Sequence, residues 1–184
     1  MKNSEVREKI KLVNSLNTDE ERMAFCKYAR KIPDNGTIVD IGTCAGSSAF
    51  CFAFGSKPSV KVHTIDPLDN EKFFIMRKFF GLEKKVLYIK KTSEDAVKDF
   101  DQKIDLLLID GIHTYDGVTN DFNWFRPLMK KDGVVMFHDY YLYSNTVGKA
   151  IDELEKKGLI EKIEIIDSLY QEEIRTGLYI AKVK

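Results

Sequence analysis

Residues 106–117 read LLLIDGIHTYDG, and the fold prediction starts from this stretch. Four apolar residues run directly into Asp110, and His113 follows three positions later. A short, continuous apolar run is typical of a strand that is buried on both faces of a parallel sheet. A carboxylate at the end of that run is costly among apolar neighbours unless it has a partner, so the stretch also predicts a polar site at the carboxyl end of the strand.

The same alternation continues on both sides of this stretch. Apolar runs of strand length occur at 37–41, 60–65, 86–90, 104–109 and 133–138. Amphipathic segments that predict helices lie at 46–56, 70–80, 93–99, 114–130 and 147–157. Buried strands that alternate with helices predict a doubly wound α/β fold with helices on both faces of a mostly parallel sheet. Two final runs, at 160–167 and 174–183, lie a hairpin's length apart and are predicted to be antiparallel.

The length of the chain, 184 residues, fits one domain. N-terminal helices are predicted over 1–32, where Thr18 precedes three acids as a helix N-cap would, and a Rossmann-like core is predicted over 33–184. No repeat or linker divides the sequence, so a single domain over 1–184 is the simplest account.

The composition argues against several classes of partner. Lys+Arg and Asp+Glu both number 29, and the lysine pairs are scattered, so no nucleic-acid partner is predicted. No apolar run approaches the length of a membrane span, so no membrane partner is predicted. Cys26, Cys44 and Cys51 are odd in number and form no C-x-x-C pair, which favours a reduced, cytoplasmic setting. Whether the chain forms a homo-oligomer is left open.

The loop after the first predicted strand, DIGTCAGSS at 40–48, indicates the class of ligand. Cys44 and Ser47 stand where a dinucleotide fingerprint has its second and third glycines, so a pyrophosphate is not expected. A tight turn into a helix N-terminus still suits a small carboxylate. Asp66, after the second strand, is positioned to accept hydrogen bonds from two ribose hydroxyls. A ligand with a ribose and a carboxylate but no pyrophosphate describes S-adenosylmethionine.

Three segments carry a resemblance to a known family: IVDIGTCAGSS at 38–48, HTIDP at 63–67, and DLLLIDGIHTYDGVTNDFNWFRPLMKKDGVVMFHDY at 105–140. Together they resemble the class I S-adenosylmethionine-dependent methyltransferases, especially the small-molecule O-methyltransferases with D-G-x-H-x-Y and H-D segments. The likeness covers roughly 35–142. It implies a Rossmann-like, seven-stranded sheet whose last strand is antiparallel.

The resemblance also implies a set of cofactor-binding residues. Asp40, Gly42 and Gly46 would hold the methionine moiety, Asp66 the ribose, and Ser93 the edge of the adenine. The full predicted set is Asp40, Gly42, Thr43, Gly46, Ser47, Asp66, Ser93 and Asp110.

Relatives in the catechol-type branch bind a divalent metal, and the matching positions here are Asp110, His138 and Asp139. Their catalytic lysine matches His113, so Asp110 and His113 are the predicted catalytic residues. Histidine is a nitrogen ligand, which places magnesium in doubt and leaves manganese, iron, zinc or no metal open. For either histidine the alternative is a residue that only fastens a loop by a hydrogen bond.

The predicted function is S-adenosylmethionine-dependent O-methylation of a small-molecule hydroxyl. The alternative is a non-catalytic adenosylmethionine-binding protein of the same fold, which would not need Asp110, His113 and Asp139 together. A short-chain dehydrogenase is disfavoured, because the sequence lacks both the three-glycine loop and a Tyr-x-x-x-Lys pair.

Overall fold

A central β-sheet organises the computed structural model, which describes residues 3–13 and 15–184. The strands are β1 (Thr37–Ile41), β2 (Lys61–Ile65), β3 (Val86–Ile89), β4 (Ile104–Ile109), β5 (Met129–Phe137), β6 (Ile160–Ile166), β7 (Leu169–Tyr170), β8 (Ile174–Arg175) and β9 (Leu178–Val183). The helices are α1 (Asn3–Ile10), α2 (Asp19–Ala29), α3 (Ser47–Gly55), α4 (Glu71–Phe79), α5 (Ser93–Lys98), α6 (Tyr115–Phe125) and α7 (Lys149–Lys156).

The sheet has seven strands in the order β3-β2-β1-β4-β5-β9-β6. The first five strands along the chain are parallel, and β9 runs antiparallel to both of its neighbours, β5 and β6. The predicted mostly parallel sheet with an antiparallel last strand is therefore confirmed. The strand order reverses between β1 and β4, and ligands of such sheets bind outside the carboxyl ends of the strands at this point.

Helices cover both faces of the sheet, as predicted. Along β4, Leu106 and Leu108 join a core with α1, α2 and α3, whereas Leu107 and Ile109 join a second core with α6 and α7. Successive strand side chains point to opposite faces, so an uninterrupted apolar run is what two covered faces require.

Three predicted elements of the core have clearly different bounds in the structure, among them the strand predicted over 133–138, which begins four residues earlier as β5. The helix predicted over 114–130 is wrong at its end: α6 stops at Phe125, a short 3-10 segment follows, and β5 begins at Met129. Pro127 lies in that segment and lacks the N–H that would continue a helical ladder. The strand predicted over 174–183 is split into β8 and β9, and β8 pairs with β7 in a separate hairpin.

The N-terminal helices lie against the core through α2, which packs on α3 with Phe25 and Phe52 in ring contact at 5.2 Å. The predicted N-cap is confirmed: Thr18 Oγ1 accepts a hydrogen bond from the Glu21 N–H, and the Thr18 N–H donates to Glu21 Oε2 at 2.8 Å. The single-domain organisation stays a prediction. Among the described residues, no helix is both long and apolar enough to span a bilayer.

Candidate active site at the carboxyl edge of the sheet

A cavity of about 890 Å³ opens at the carboxyl edge of the sheet, where the strand order reverses. Its walls include the loops that follow β1, β2, β4 and β5, together with 15–17 before α2. The volume lies within the range of roughly 300–1,000 Å³ that is usual for small-molecule sites.

The loop after β1 approaches the end of β4 very closely. Gly42 has a φ of +101°, and a Cβ at this position would lie 2.1 Å from the carbonyl oxygen of Asp110. Gly46 has a φ of +88°, and a Cβ there would meet the Phe73 ring at 2.6 Å. Both positions therefore need glycine. Their backbone brings the neighbouring residues Thr43 and Ser47 to the cavity wall, whereas Gly46 itself does not line the cavity.

Asp40 lies behind this loop rather than on the cavity wall. Its fully buried carboxylate accepts hydrogen bonds from Ser48 Oγ at 2.9 Å and Thr64 Oγ1 at 2.8 Å. Burial raises the pKa of this carboxyl to about 7. The predicted direct contact of Asp40 with a cofactor is not supported by this geometry, because the carboxylate holds the loop from the interior.

Asp66, which directly follows β2, accepts hydrogen bonds from the backbone N–H groups of Cys44 at 3.2 Å and Leu68 at 2.9 Å. This arrangement fixes the carboxylate on the cavity wall. The predicted ribose residue is thus in reach of a ligand in the cavity.

Further along the wall, Ser93 donates a hydrogen bond to Asp121 Oδ1. The side chain of Asp121 is buried, and this burial raises its pKa to about 6. Asp121 was missed by the sequence interpretation. The sequence did contain an indication of its role, because an acid at position 121 falls on the apolar face of α6 that also carries Val118 and Phe122.

Four predicted site residues meet at the ends of β4 and β5. His113 Nε2 lies 3.4 Å from Asp110 Oδ1 and 3.1 Å from Asp139 Oδ2. His138 Nδ1 lies 3.4 Å from Asp110 Oδ1 and 3.1 Å from Asp139 Oδ1. We call Asp110, His113, His138 and Asp139 the acid–imidazole cluster. All four line the cavity.

The backbone at Asp139 explains how two successive residues reach the same cluster. In a continuing strand, His138 and Asp139 would point to opposite faces. Asp139 instead has a φ of +60°, in the left-handed region, and this turn breaks the alternation. His113 is held from the other side, where its ring stacks on Tyr143 with centroids 4.7 Å apart.

The charges of the cluster shift its pKa values strongly. Hydrogen bonds to Asp110 and then Asp139 raise the pKa of His113 to about 9. Burial lowers the pKa of His138, but the attraction of Asp110 together with the contacts to Asp139 and Glu21 outweighs burial, and the net shift is upward. Burial raises the pKa of Asp139, yet its interactions with His113 and His138 hold this pKa well below its usual value. The acids of the cluster thus stabilise the protonated form of both imidazoles.

The far side of His138 contacts the N-terminal part of the chain. Its Nε2 lies 3.1 Å from Glu21 Oε2 and 3.2 Å from Asn17 Nδ2. Its Nδ1 is buried and faces Asp110 and Asp139 at charge-contact distance, but the angles are not those of a hydrogen bond. Sequence interpretation did not identify Glu21 as a site residue.

The cluster fits a divalent metal ion by its donors. One ligand atom each of Asp110, His113 and Asp139 lies within 4.8 Å of the other two. His138 Nδ1, which has no hydrogen-bond partner within residues 3–13 and 15–184, faces the same acids. Two carboxylates with imidazole nitrogens suit manganese, iron or zinc better than magnesium, which prefers oxygen ligands. The predicted ligand set of Asp110, His138 and Asp139 thus gains His113 as a fourth candidate.

The raised pKa of Asp40 predicts a pH-dependent difference in stability between the wild type and Asp40→Asn. Because burial raises the folded-state pKa from 3.8 to about 7, the folded chain retains a proton that the unfolded chain releases between about pH 4 and 7. We expect the free energy of unfolding of the wild type to fall relative to that of the variant as pH rises through this window.

Urea denaturation at several pH values measures this difference. Asp34→Asn is the matched control, because ion pairing with Lys57 lowers the pKa of Asp34 and its contribution should be flat above pH 4. A difference between the wild type and Asp40→Asn that stays constant from pH 4 to 7 would contradict the assignment.

Comparison with known proteins agrees with this geometry. Residues 39–140, more than half of the chain, match a family described as a methyltransferase domain. An uncharacterized protein of Acanthamoeba polyphaga mimivirus is 33% identical over 134 residues, which are 66% of this chain and 60% of the viral protein. The chain thus spans about 60% of the length of that curated relative.

Two solved structures share the fold. An O-methyltransferase from Bacillus cereus, in complex with SAH, superposes with a TM-score of 0.77 at 15% identity. The superposition covers 100% of this chain and 92% of the Bacillus cereus chain. An rRNA methylase from Streptococcus thermophilus superposes with a TM-score of 0.71 at 14% identity. This superposition covers 92% of this chain and 99% of the Streptococcus thermophilus chain. The cavity, its glycine loop and the matched region lead to one conclusion: this chain belongs to the methyltransferase-domain family.

Proposed function

We propose that the chain transfers the methyl group of S-adenosylmethionine to a hydroxyl group of a small molecule. The observation that carries this proposal is the continuity of the cavity. Asp66, the Ser93–Asp121 pair and the acid–imidazole cluster all line the same space. A ligand whose ribose meets Asp66 would therefore lie in the same space as Asp110 and His113.

The binding half of the cavity suits the parts of S-adenosylmethionine. The loop at Gly42 leads into the N-terminus of α3, which would accept the carboxylate of the methionine moiety. Asp66 would accept hydrogen bonds from the ribose hydroxyls, and Ser93 with Asp121 would face the adenine. The SAH bound to the Bacillus cereus O-methyltransferase supports the same class of ligand.

The reacting half supports attack by a hydroxyl oxygen. As the oxygen forms a bond to the methyl carbon, the carbon–sulfur bond breaks, and the products are a methyl ether and S-adenosylhomocysteine. The hydroxyl proton needs an acceptor, and His113 lies on the cavity wall with about a third of its side chain exposed. Holding the oxygen and the methyl group in line would supply much of the acceleration.

A divalent cation would fit this half through Asp110, Asp139 and His138, with His113 beside it. Such an ion lowers the pKa of a hydroxyl that binds it. It would also compensate the carboxylate charge that keeps a proton on His113, and a proton-free imidazole is what a base requires.

The walls support a small, uncharged acceptor rather than RNA. Among the described residues that line the cavity, Lys91 supplies the one lysine or arginine side chain, and that lysine pairs with Asp99. The side chains that line the cavity near the cluster include Leu16, Leu142, Tyr143, Tyr170 and Ile174. Phosphate groups would lack cationic partners here. A cytoplasmic location is part of the same proposal, and all three cysteines are free.

The cofactor half can be tested with Asp66→Ala. The loss of a charged acceptor should weaken S-adenosylhomocysteine binding about 10- to 150-fold, the equivalent of about 1.5–3 kcal/mol. Titration calorimetry gives the dissociation constant. Asp69→Ala, a nearby exposed carboxylate that does not line the cavity, should bind like the wild type. Stabilisation of the wild type by NAD, with none from either adenosyl compound, would disprove the proposed function.

The reacting half can be tested with His113→Ala, which separates an enzyme from a binding protein of the same fold. Removing a general base should lower methyl transfer about 10²- to 10⁴-fold. Affinity for S-adenosylhomocysteine should stay close to that of the wild type, because the ribose and carboxylate contacts come from other loops. A screen of metabolite pools with labelled methyl donor identifies an acceptor and then gives the rates.

His63→Gln is the matched control, since His63 packs against Phe100 away from the cavity. Wild-type turnover by His113→Ala would reduce this histidine to a loop-fastening role. No methyl transfer by the wild type to any acceptor, with S-adenosylhomocysteine tightly bound, would favour the non-catalytic alternative.

A further inference from the structure

Glu21 of α2 reaches the acid–imidazole cluster from outside the region that matches the methyltransferase family. It is fully buried, although a carboxylate is costly to bury without partners. Oε1 accepts hydrogen bonds from Thr176 Oγ1 at 2.8 Å and Ser168 Oγ at 3.1 Å. Oε2 accepts one from the Thr18 N–H at 2.8 Å and lies 3.1 Å from His138 Nε2.

These contacts fix Glu21 from two separate parts of the chain. Thr18 belongs to the start of its own helix, whereas Ser168 and Thr176 flank the β7–β8 hairpin. A carboxylate that is held in this way has little freedom to follow a moving imidazole. The ring of His138 is therefore oriented with Nε2 towards Glu21 and Nδ1 towards Asp110 and Asp139.

The orientation leaves an unusual atom at the cluster. His138 Nδ1 is buried and has no hydrogen-bond partner among the described residues, yet it faces two carboxylates at 3.1 and 3.4 Å. Two groups lie near Nε2: the Glu21 carboxylate can only accept a hydrogen bond from it, and the Asn17 amide nitrogen can only donate one to it. The contact with the charged, buried acceptor is the shorter one, at 3.1 Å against 3.2 Å, and it favours an Nε2–H. That tautomer leaves the Nδ1 lone pair free for a cation. Metal-bound imidazoles commonly donate their second N–H to a carboxylate in this way, and that partner sets the tautomer and the basicity of the ring.

We propose that Glu21 is a positioning residue: it fixes His138 so that Nδ1 serves, with Asp110 and Asp139, as the nitrogen ligand of a divalent transition-metal ion. The inference uses the same cavity as the proposed methyl transfer. It does not depend on the acceptor. It gives the N-terminal helix α2 a part in the active site that the matched region alone does not contain.

Glu21→Gln tests the proposal, because glutamine preserves the size of the side chain and removes its charge. The dissociation constant for Mn²⁺, measured by calorimetry on the full chain, should rise about 10- to 100-fold, the usual cost of losing such a partner. Asn70→Ala is the matched control. It removes the N-cap of α4, and Asn70 neither contacts Glu21 nor lines the cavity, so the thermal midpoint should fall and Mn²⁺ affinity should not change.

A second measurement holds even if Glu21→Gln fails to fold. In the wild-type chain loaded with Zn²⁺, long-range proton–nitrogen correlation spectra should show His138 protonated at Nε2 and bound through Nδ1. Ligation through Nε2, a doubly protonated His138, or unchanged Mn²⁺ affinity in Glu21→Gln would overturn the proposal.

The affinity for S-adenosylhomocysteine, measured on the same samples, separates this inference from the proposed function. A chain that binds S-adenosylhomocysteine but neither Mn²⁺ nor Zn²⁺ would overturn the role of Glu21 and leave the methyltransferase proposal standing. A chain that binds both metals as described but no adenosyl compound would overturn the methyltransferase proposal and leave the role of Glu21 standing.

Discussion

Charge compensation at Asp110 and Asp139 is the constraint on which the site depends. Two carboxylates at the end of buried strands cannot stay ionised and unpaired in an apolar interior. Two imidazoles, those of His113 and His138, compensate these charges, and each lies within 3.4 Å of both acids. The same arrangement can hold protons or a divalent cation. The raised pKa of His113 and the approach of His138 Nδ1 to both acids are two results of this one electrostatic requirement.

The rest of the fold brings these groups together and leaves space beside them. Parallel pairing of β1, β4 and β5 brings the ends of these strands to one edge, and the close approach at Gly42 joins the loop after β1 to the end of β4. The left-handed turn at Asp139 then directs two adjacent side chains into the cluster. From the N-terminal side, Glu21 supports His138. Methyl transfer from S-adenosylmethionine is the proposed use of this geometry.

The sequence predicted those features whose signals are local. Each sheet strand from β1 to β4 was predicted to within one residue, because a buried parallel strand is a short apolar run with polar ends. Asp110 and His113 are three positions apart, so the contact between their side chains could be predicted from the motif. The end of α6 was mispredicted, because the apolar stripe continues past Phe125 into the start of β5 and conceals the break at Pro127.

Long-range partners could not be predicted in this way. Glu21 meets residues 117, 147 and 155 positions away, and at its own position it looks like an ordinary acid in the first turn of a helix. Asp40 was predicted to hold the methionine moiety of the cofactor, but its hydrogen bonds to Ser48 and Thr64 turn its carboxylate inward. In both cases the neighbours are set by tertiary packing and not by spacing along the chain.

The central claim is that the adenosyl ligand and the acid–imidazole cluster share one cavity. A crystal structure of the chain with S-adenosylhomocysteine and Mn²⁺, with anomalous data collected for manganese, tests it most directly. We expect the ribose hydroxyls at Asp66, the sulfur facing Asp110, and the anomalous peak within coordinating distance of Asp110, Asp139 and His138 Nδ1. Density for S-adenosylhomocysteine outside this cavity, or with its sulfur directed away from the cluster, would contradict the account.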